Sequence, residues 1–173
     1  MTRGAPASRR RNVLPDAAAQ NPAVVALAEQ MPSAIIDASV AVDGLILRIA
    51  PKYIEGVCRY LTQNEGFARL SAVTAVDWWP REPRFEVLYF LHSLARNARL
   101  RLSVRVREGE PLESVCQLWR GANWYEREVF DLFGIEFRNH PNLERILMPS
   151  DWEGHPLRKD YPIHGHKYSY QEE

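Results

Sequence analysis

Cysteine is scarce in this chain, with 2 among 173 residues, Cys58 and Cys116. Two thiolates cannot hold an iron–sulfur cluster of the four-cysteine type or a four-cysteine zinc site, and they do not suggest a disulfide-stapled secreted scaffold. Net charge is missing too, because 22 Lys and Arg balance 22 Asp and Glu. A balanced chain lacks the broad positive field of a nucleic-acid binder, which leaves only a local patch for that role. Long apolar runs are absent: Val87-Leu88-Tyr89-Phe90-Leu91 is representative of the longest, whereas a membrane-spanning helix requires about 20 residues. Arg3, Arg9, Arg10 and Arg11 are followed by only Val13-Leu14-Pro15, too short for the apolar segment of a secretory signal. Glycine-rich phosphate loops, nucleophile elbows and His-Glu-x-x-His are not present.

What is present reads as one domain with a core, flanked by an arm and a tail. Residues 1–20 read as a flexible arm. Asn21-Pro22 caps a helix over 22–30, and Pro32 lies just beyond its end. Strands are predicted over 34–42 and 45–49 across the hairpin dipeptide Asp43-Gly44. A helix opens at Pro51, with Ile54, Val57, Cys58 and Leu61 on one stripe. Cys58 there reads as a small buried hydrophobe. Strands follow over 67–78, 85–94 and 99–107. In the last, Leu100, Leu102, Val104 and Val106 alternate with Arg99, Arg101, Arg105 and Arg107, the period of a strand buried on one face. Those four arginines read as a solvated or acid-covered face, with an RNA-binding strand as the alternative. Helices are predicted over 114–119 and 123–133, stopped by Gly134, with Arg127 and Asp131 spaced to pair. Residues 21–135 thus predict an α+β two-layer sandwich, with a mainly antiparallel sheet and helices on one face.

From Glu136 the pattern changes. Pro141, Pro149, Pro156 and Pro162 interrupt any period, yet Leu143, Ile146, Leu147, Met148, Trp152, Leu157 and Tyr161 are not the composition of a disordered chain. Residues 136–173 therefore read as an extended segment lying in a groove of this chain or of a partner. The expectation is fast amide exchange along it until a partner binds. His140, His155, His164 and His166 invite a zinc-hydrolase reading, but their spacing is irregular and two precede proline. Glu126, Arg127, Glu128 and Asp131 read as an ion-pair network, not an acid/base set. Asp151-Trp152-Glu153 has the composition of an interface anchor, and Arg158, Lys159 and Asp160 suit a partner's polar groups.

Two runs are specific enough to carry a resemblance. Asn123-Trp124-Tyr125-Glu126-Arg127-Glu128-Val129-Phe130-Asp131-Leu132-Phe133-Gly134-Ile135 resembles the signature of the C-type subunit of respiratory complex I, the proton-translocating NADH:quinone oxidoreductase, in the family that includes the mitochondrial 30 kDa and chloroplast J subunits. Arg145-Ile146-Leu147 and Asp151-Trp152-Glu153-Gly154-His155-Pro156-Leu157-Arg158-Lys159-Asp160-Tyr161-Pro162 are similar to its C-terminal block. The resemblance implies a non-catalytic structural subunit of the peripheral arm, docked on a D-type subunit near the quinone site beside a B-type subunit. It implies that Glu126, Arg127, Glu128, Asp131, Phe133, Gly134, Arg145, Asp151, Trp152, Gly154, His155, Pro156, Arg158, Lys159, Asp160 and Tyr161 serve architecture or docking. No cofactor is expected in the chain itself; FMN and iron–sulfur clusters belong to partner subunits, and NADH and quinone are handled by the complex. The implied place is the cytoplasmic side of a bacterial plasma membrane, held there through the complex. The alternative that the resemblance leaves is an equivalent subunit of a related membrane-bound hydrogenase or of another quinone or ferredoxin oxidoreductase.

Overall fold

The computed structural model describes residues 16–162 except Asp43. A five-stranded sheet runs in the order β1-β2-β5-β4-β3, with β1 Ile35–Ala41, β2 Gly44–Ile49, β3 Arg69–Asp77, β4 Phe85–Ser93 and β5 Ala98–Val106. After β2 the chain crosses the sheet through helix α3 (Ile54–Gln63). It then meanders β3→β4→β5, so β5 arrives parallel to β2 while every other pairing is antiparallel. The sheet is thus mixed but mainly antiparallel, as its alternating patterns require.

One face of the sheet is the core. Leu45, Leu47, Ile49, Val87, Tyr89, Leu91, Leu100, Leu102 and Val104 are buried there with the apolar stripes of α2 (Pro22–Gln30) and α3. The α2 start is built as its sequence demands: Pro22 takes the first helical position, and the Asn21 side chain accepts a hydrogen bond from the Ala23 amide at 3.1 Å. Cys58 is fully buried on the α3 stripe, and burial pushes its thiol pKa up. Residues 16–19, assigned by composition to the arm, form a helical turn, α1 (Asp16–Ala19), with Ala18 buried against the body.

One expectation needs correction. Residues 114–119 are not a helix. Leu112–Glu113 (β6) pairs in parallel with Phe137–Arg138 (β7), and the Ser114 and Val115 amides go to Arg138 O and the Glu126 carboxylate. Beyond Val115 the chain makes only a single turn, with the Leu118 and Trp119 amides both donating to Val115 O. Of the two seats expected for the tail, its described part, residues 136–162, takes the one on its own domain, against helix α4 (Ala122–Phe133) and the β3–β4 end of the sheet.

Candidate functional site at the end of the signature helix

The described tail is held by the C-terminal end of α4. A helix leaves its last four carbonyls without intrahelical partners. Here Phe130 O accepts from the Gly134 amide at 2.8 Å, and Leu132 O accepts from the Leu157 amide at 3.0 Å. Asp131 O is met by Arg145 at 3.2 Å and by His155 Nδ1 at 2.9 Å. Phe133 O accepts from Arg158 Nε at 2.6 Å. Two guanidinium groups at this end also suit the negative pole of the helix. Gly134 turns the chain at φ 74°; a Cβ there would lie 2.5 Å from both Arg158 and His155, so only glycine lets the tail close onto the helix.

Asp131 is the centre of this arrangement. Its carboxylate is fully buried. Oδ2 accepts the backbone amides of Ile146, Leu147 and Met148 at 3.0, 2.8 and 2.9 Å, and Oδ1 pairs with Arg145 at 2.7 Å. Burial raises its pKa, but the three amides and the guanidinium outweigh that and hold it below the ordinary carboxylate value. Arg145 then spans to Trp152 O and Gly154 O at 3.1 and 3.0 Å. Arg127, expected to pair with Asp131, instead donates to Glu144 O and Arg145 O and stacks on Trp124, because Arg145 already occupies the carboxylate.

A second knot holds the end of the tail. Arg84, 4% exposed, binds Asp77 through two contacts at 3.1 and 2.8 Å, Asp160 through two at 2.5 and 3.0 Å, and Glu108 at 2.9 Å. Arg158 reaches Glu108 at 2.6 Å, and both guanidiniums lie against the Phe85 ring. The Lys159 amide caps Asp77 Oδ2 at 2.9 Å. Burial pushes Asp77 up, yet Arg84 and the Lys159 and Trp79 amides hold it at about 2. Arg84, Asp77 and Glu108 escaped sequence reasoning, since each sits in an ordinary strand or turn context. The Arg158 and Asp160 groups read as partner-binding are instead engaged within the chain. Tyr161 Oη reaches Glu153 O at 3.4 Å; the Asp151, Glu128 and Lys159 side chains are exposed, and Trp152 and Pro156 are half-buried.

The remaining carboxylate of the motif, Glu126, is also fully buried. It accepts from Ser114 Oγ at 2.6 Å, the Val115 amide at 2.8 Å and Cys116 Sγ at 3.3 Å. Its partners are neutral, so the expected ion pair is replaced by a hydrogen-bonded pocket. Burial raises its pKa, and these donors pull it back. The ligand atoms of Cys116, Glu126 and His140 lie within 4.8 Å of one another, a donor set zinc would accept. Each is already committed, however: burial pushes the Cys116 thiol up to about 12, and His140 sits between Asn123 O at 3.3 Å and the Asn142 amide at 3.1 Å. His140 and His155 engage carbonyls eight residues apart on α4, on the order of 12 Å along its axis. His164 and His166 lie outside the described residues. On β5, Arg105 pairs with Glu86 at 3.4 Å and stacks on Trp78, and Arg101 stacks on Phe90, so these two are not a free row for RNA.

Residues 47–167 match the family described as respiratory-chain NADH dehydrogenase, 30 Kd subunit. The C-type subunit of NADH-quinone oxidoreductase from Geotalea uraniireducens is 42% identical, with 87% of this chain and 92% of that protein covered. The Roseiflexus castenholzii protein of the same name is 46% identical over 84% of this chain and 86% of its own length. The mitochondrial 30.4 kDa subunit of NADH-ubiquinone oxidoreductase from Neurospora crassa is 42% identical; 83% of this chain aligns to 52% of that protein. Among solved structures, a chain of the archaeal membrane-bound sulfane sulfur reductase, a respiratory membrane complex, superposes with a TM-score of 0.68 at 26% identity, covering 81% and 84% of the two chains.

Proposed function

We propose, because this chain belongs to the 30 kDa subunit family of respiratory-chain NADH dehydrogenases, that it is a non-catalytic structural subunit of a proton-translocating NADH:quinone oxidoreductase. It stabilises the peripheral arm and docks on a D-type subunit near the quinone site, beside a cluster-bearing B-type subunit. FMN and the iron–sulfur clusters belong to partner subunits, and NADH and quinone are handled by the complex. The observation that supports this reading best is how the motif's two buried carboxylates are used. Glu126 and Asp131 are both saturated by donors of their own chain, so neither is poised to move a proton for a substrate. Around them, Trp124, Leu147 and Leu157 are 61, 60 and 52% exposed, an apolar set suited to a neighbouring subunit. No helix among the described residues is long and apolar enough to cross a membrane. The complex then supplies the attachment to the cytoplasmic face of the bacterial membrane.

The test is to tag the chain in its own organism, solubilise the membranes and identify what co-purifies. D- and B-type subunits should be recovered with NADH:quinone reductase activity. Leu147→Glu with Leu157→Glu, both at exposed positions, should leave the fold intact and lower recovery of the complex about tenfold or more, the scale of losing an interface anchor. Recovery of the chain alone, or an unchanged yield with the double variant, would refute the reading.

A further inference from the structure

The helices cover one face of the sheet; the other face carries half-buried side chains of mixed character. Its charges are organised in transverse rows. In the row through Arg48, the guanidinium meets Asp37 on the neighbouring strand at 3.7 Å. In the row through Arg105, Glu86 lies directly opposite. The row at the other end is different. Arg69 on β3, His92 on β4 and Arg99 on β5 face one another in register. Neither arginine forms a salt bridge among the described residues, both are exposed, and the His92 Nε2 is sheltered without a hydrogen-bond partner. Arg69 and Arg99 thus flank His92 from the strands on either side of β4, about 10 Å apart, a span that one anion laid across the row can bridge.

The row borders a cavity of about 400 Å³ with an apolar floor that includes Ile46 and Phe90. None of the described residues lining it is acidic. Phe90 is already covered on one side by Arg101, 4.7 Å from its centroid. Among the described residues no helix N-terminus lines the cavity, so they do not offer it the convergent amides that wrap a free phosphate. An aspartate or glutamate beside an apolar residue matches both parts, with the carboxylate on the arginine row and the apolar group on the floor.

We propose that this pocket is a docking site for an acidic, partly apolar segment of a neighbouring subunit, distinct from the α4–tail surface. It rests on the assembly role proposed above. Arg69 and Arg99 hold the carboxylate, and Phe90 and Ile46 take the adjoining apolar side chain.

Arginine-selective labelling with phenylglyoxal, read by mass spectrometry, tests this on the isolated chain and on the intact complex. Arg69 and Arg99 should become at least tenfold less reactive in the complex. Arg69→Glu with Arg99→Glu should lower co-purification about tenfold while leaving the circular dichroism spectrum unchanged. A benzophenone maleimide placed through Ser71→Cys should capture a subunit peptide that carries Asp or Glu; Cys58 is buried and the Cys116 thiol stays protonated, so the new thiol labels selectively. If the complex forms but both arginines stay as reactive as in the isolated chain, the docking site is overturned and the assembly role stands. Protection that vanishes when lipid is stripped from a still-intact complex overturns it in favour of a lipid phosphate. If no subunits co-purify, both proposals fall.

Discussion

Asp131→Asn is the substitution that interrogates the architecture most directly. The amide has the same shape, so it opens no cavity, but it removes the charge and turns an NH2 group towards existing donors. Asp131 currently serves three backbone amides and Arg145 at 2.7–3.0 Å inside a fully buried site. Removing one member of a buried, hydrogen-bonded pair costs about 3–5 kcal/mol. The Arg145 side chain is 19% exposed and regains some water, which favours the lower end, about 3 kcal/mol. For a chain of this size each kcal/mol moves Tm by roughly 2–4 °C, so a melt followed by circular dichroism should shift down by roughly 6–12 °C. Hydrogen exchange gives the local signature. The Ile146, Leu147 and Met148 amides should lose protection, while the α3 amides change only as global stability changes. A shift under about 2 °C, with those three amides still protected, would refute the view that one carboxylate organises the tail.

Gly134→Ala should destabilise the fold by about 2 kcal/mol or more. The left-handed backbone alone costs roughly 1–2 kcal/mol for a residue with a Cβ, and the added carbon meets Arg158 and His155 at 2.5 Å; a urea midpoint equal to wild type would contradict this. Acid should unfasten the tail through Asp77, whose folded pKa is about 2 against an ordinary value of 3.8. A depressed folded pKa means the stabilisation is complete above the unfolded value and is lost as pH falls from about 4 to about 2, on the order of 2.5 kcal/mol in all. Urea titrations between pH 5 and 2 should show that loss, and Asp77→Asn should remove much of the slope; an unchanged slope in the variant would sink the assignment.

The sheet and its helices were legible because their periods are strong: the β5 alternation, the α3 stripe and the Asn21-Pro22 cap all describe local structure that packing left in place. Residues 114–119 misled because their helical composition is outweighed by a buried glutamate twelve residues on, which takes the Val115 amide and the Ser114 hydroxyl. Which groove takes the tail was not legible for a related reason. Its structure has no period to read, since its order comes from acceptors at the end of another element. Asp131 was visible as a motif residue, but nothing in its spacing told that its partners are the amides of 146–148. Arg84 was invisible, since a lone arginine after Pro83 has no pattern until Asp77, Glu108 and Asp160 are brought around it.

The capping of α4 changes where this domain can be divided. A cut after residue 135, where the main sheet and helices end, would leave the helix's last turn without the Arg145, His155, Leu157 and Arg158 donors and strip the Asp131 carboxylate of its guanidinium and amide partners. The smallest unit that can be moved into another protein, or expressed by itself with its helix intact, therefore runs through Asp160, whose carboxylate fastens the far end to Arg84.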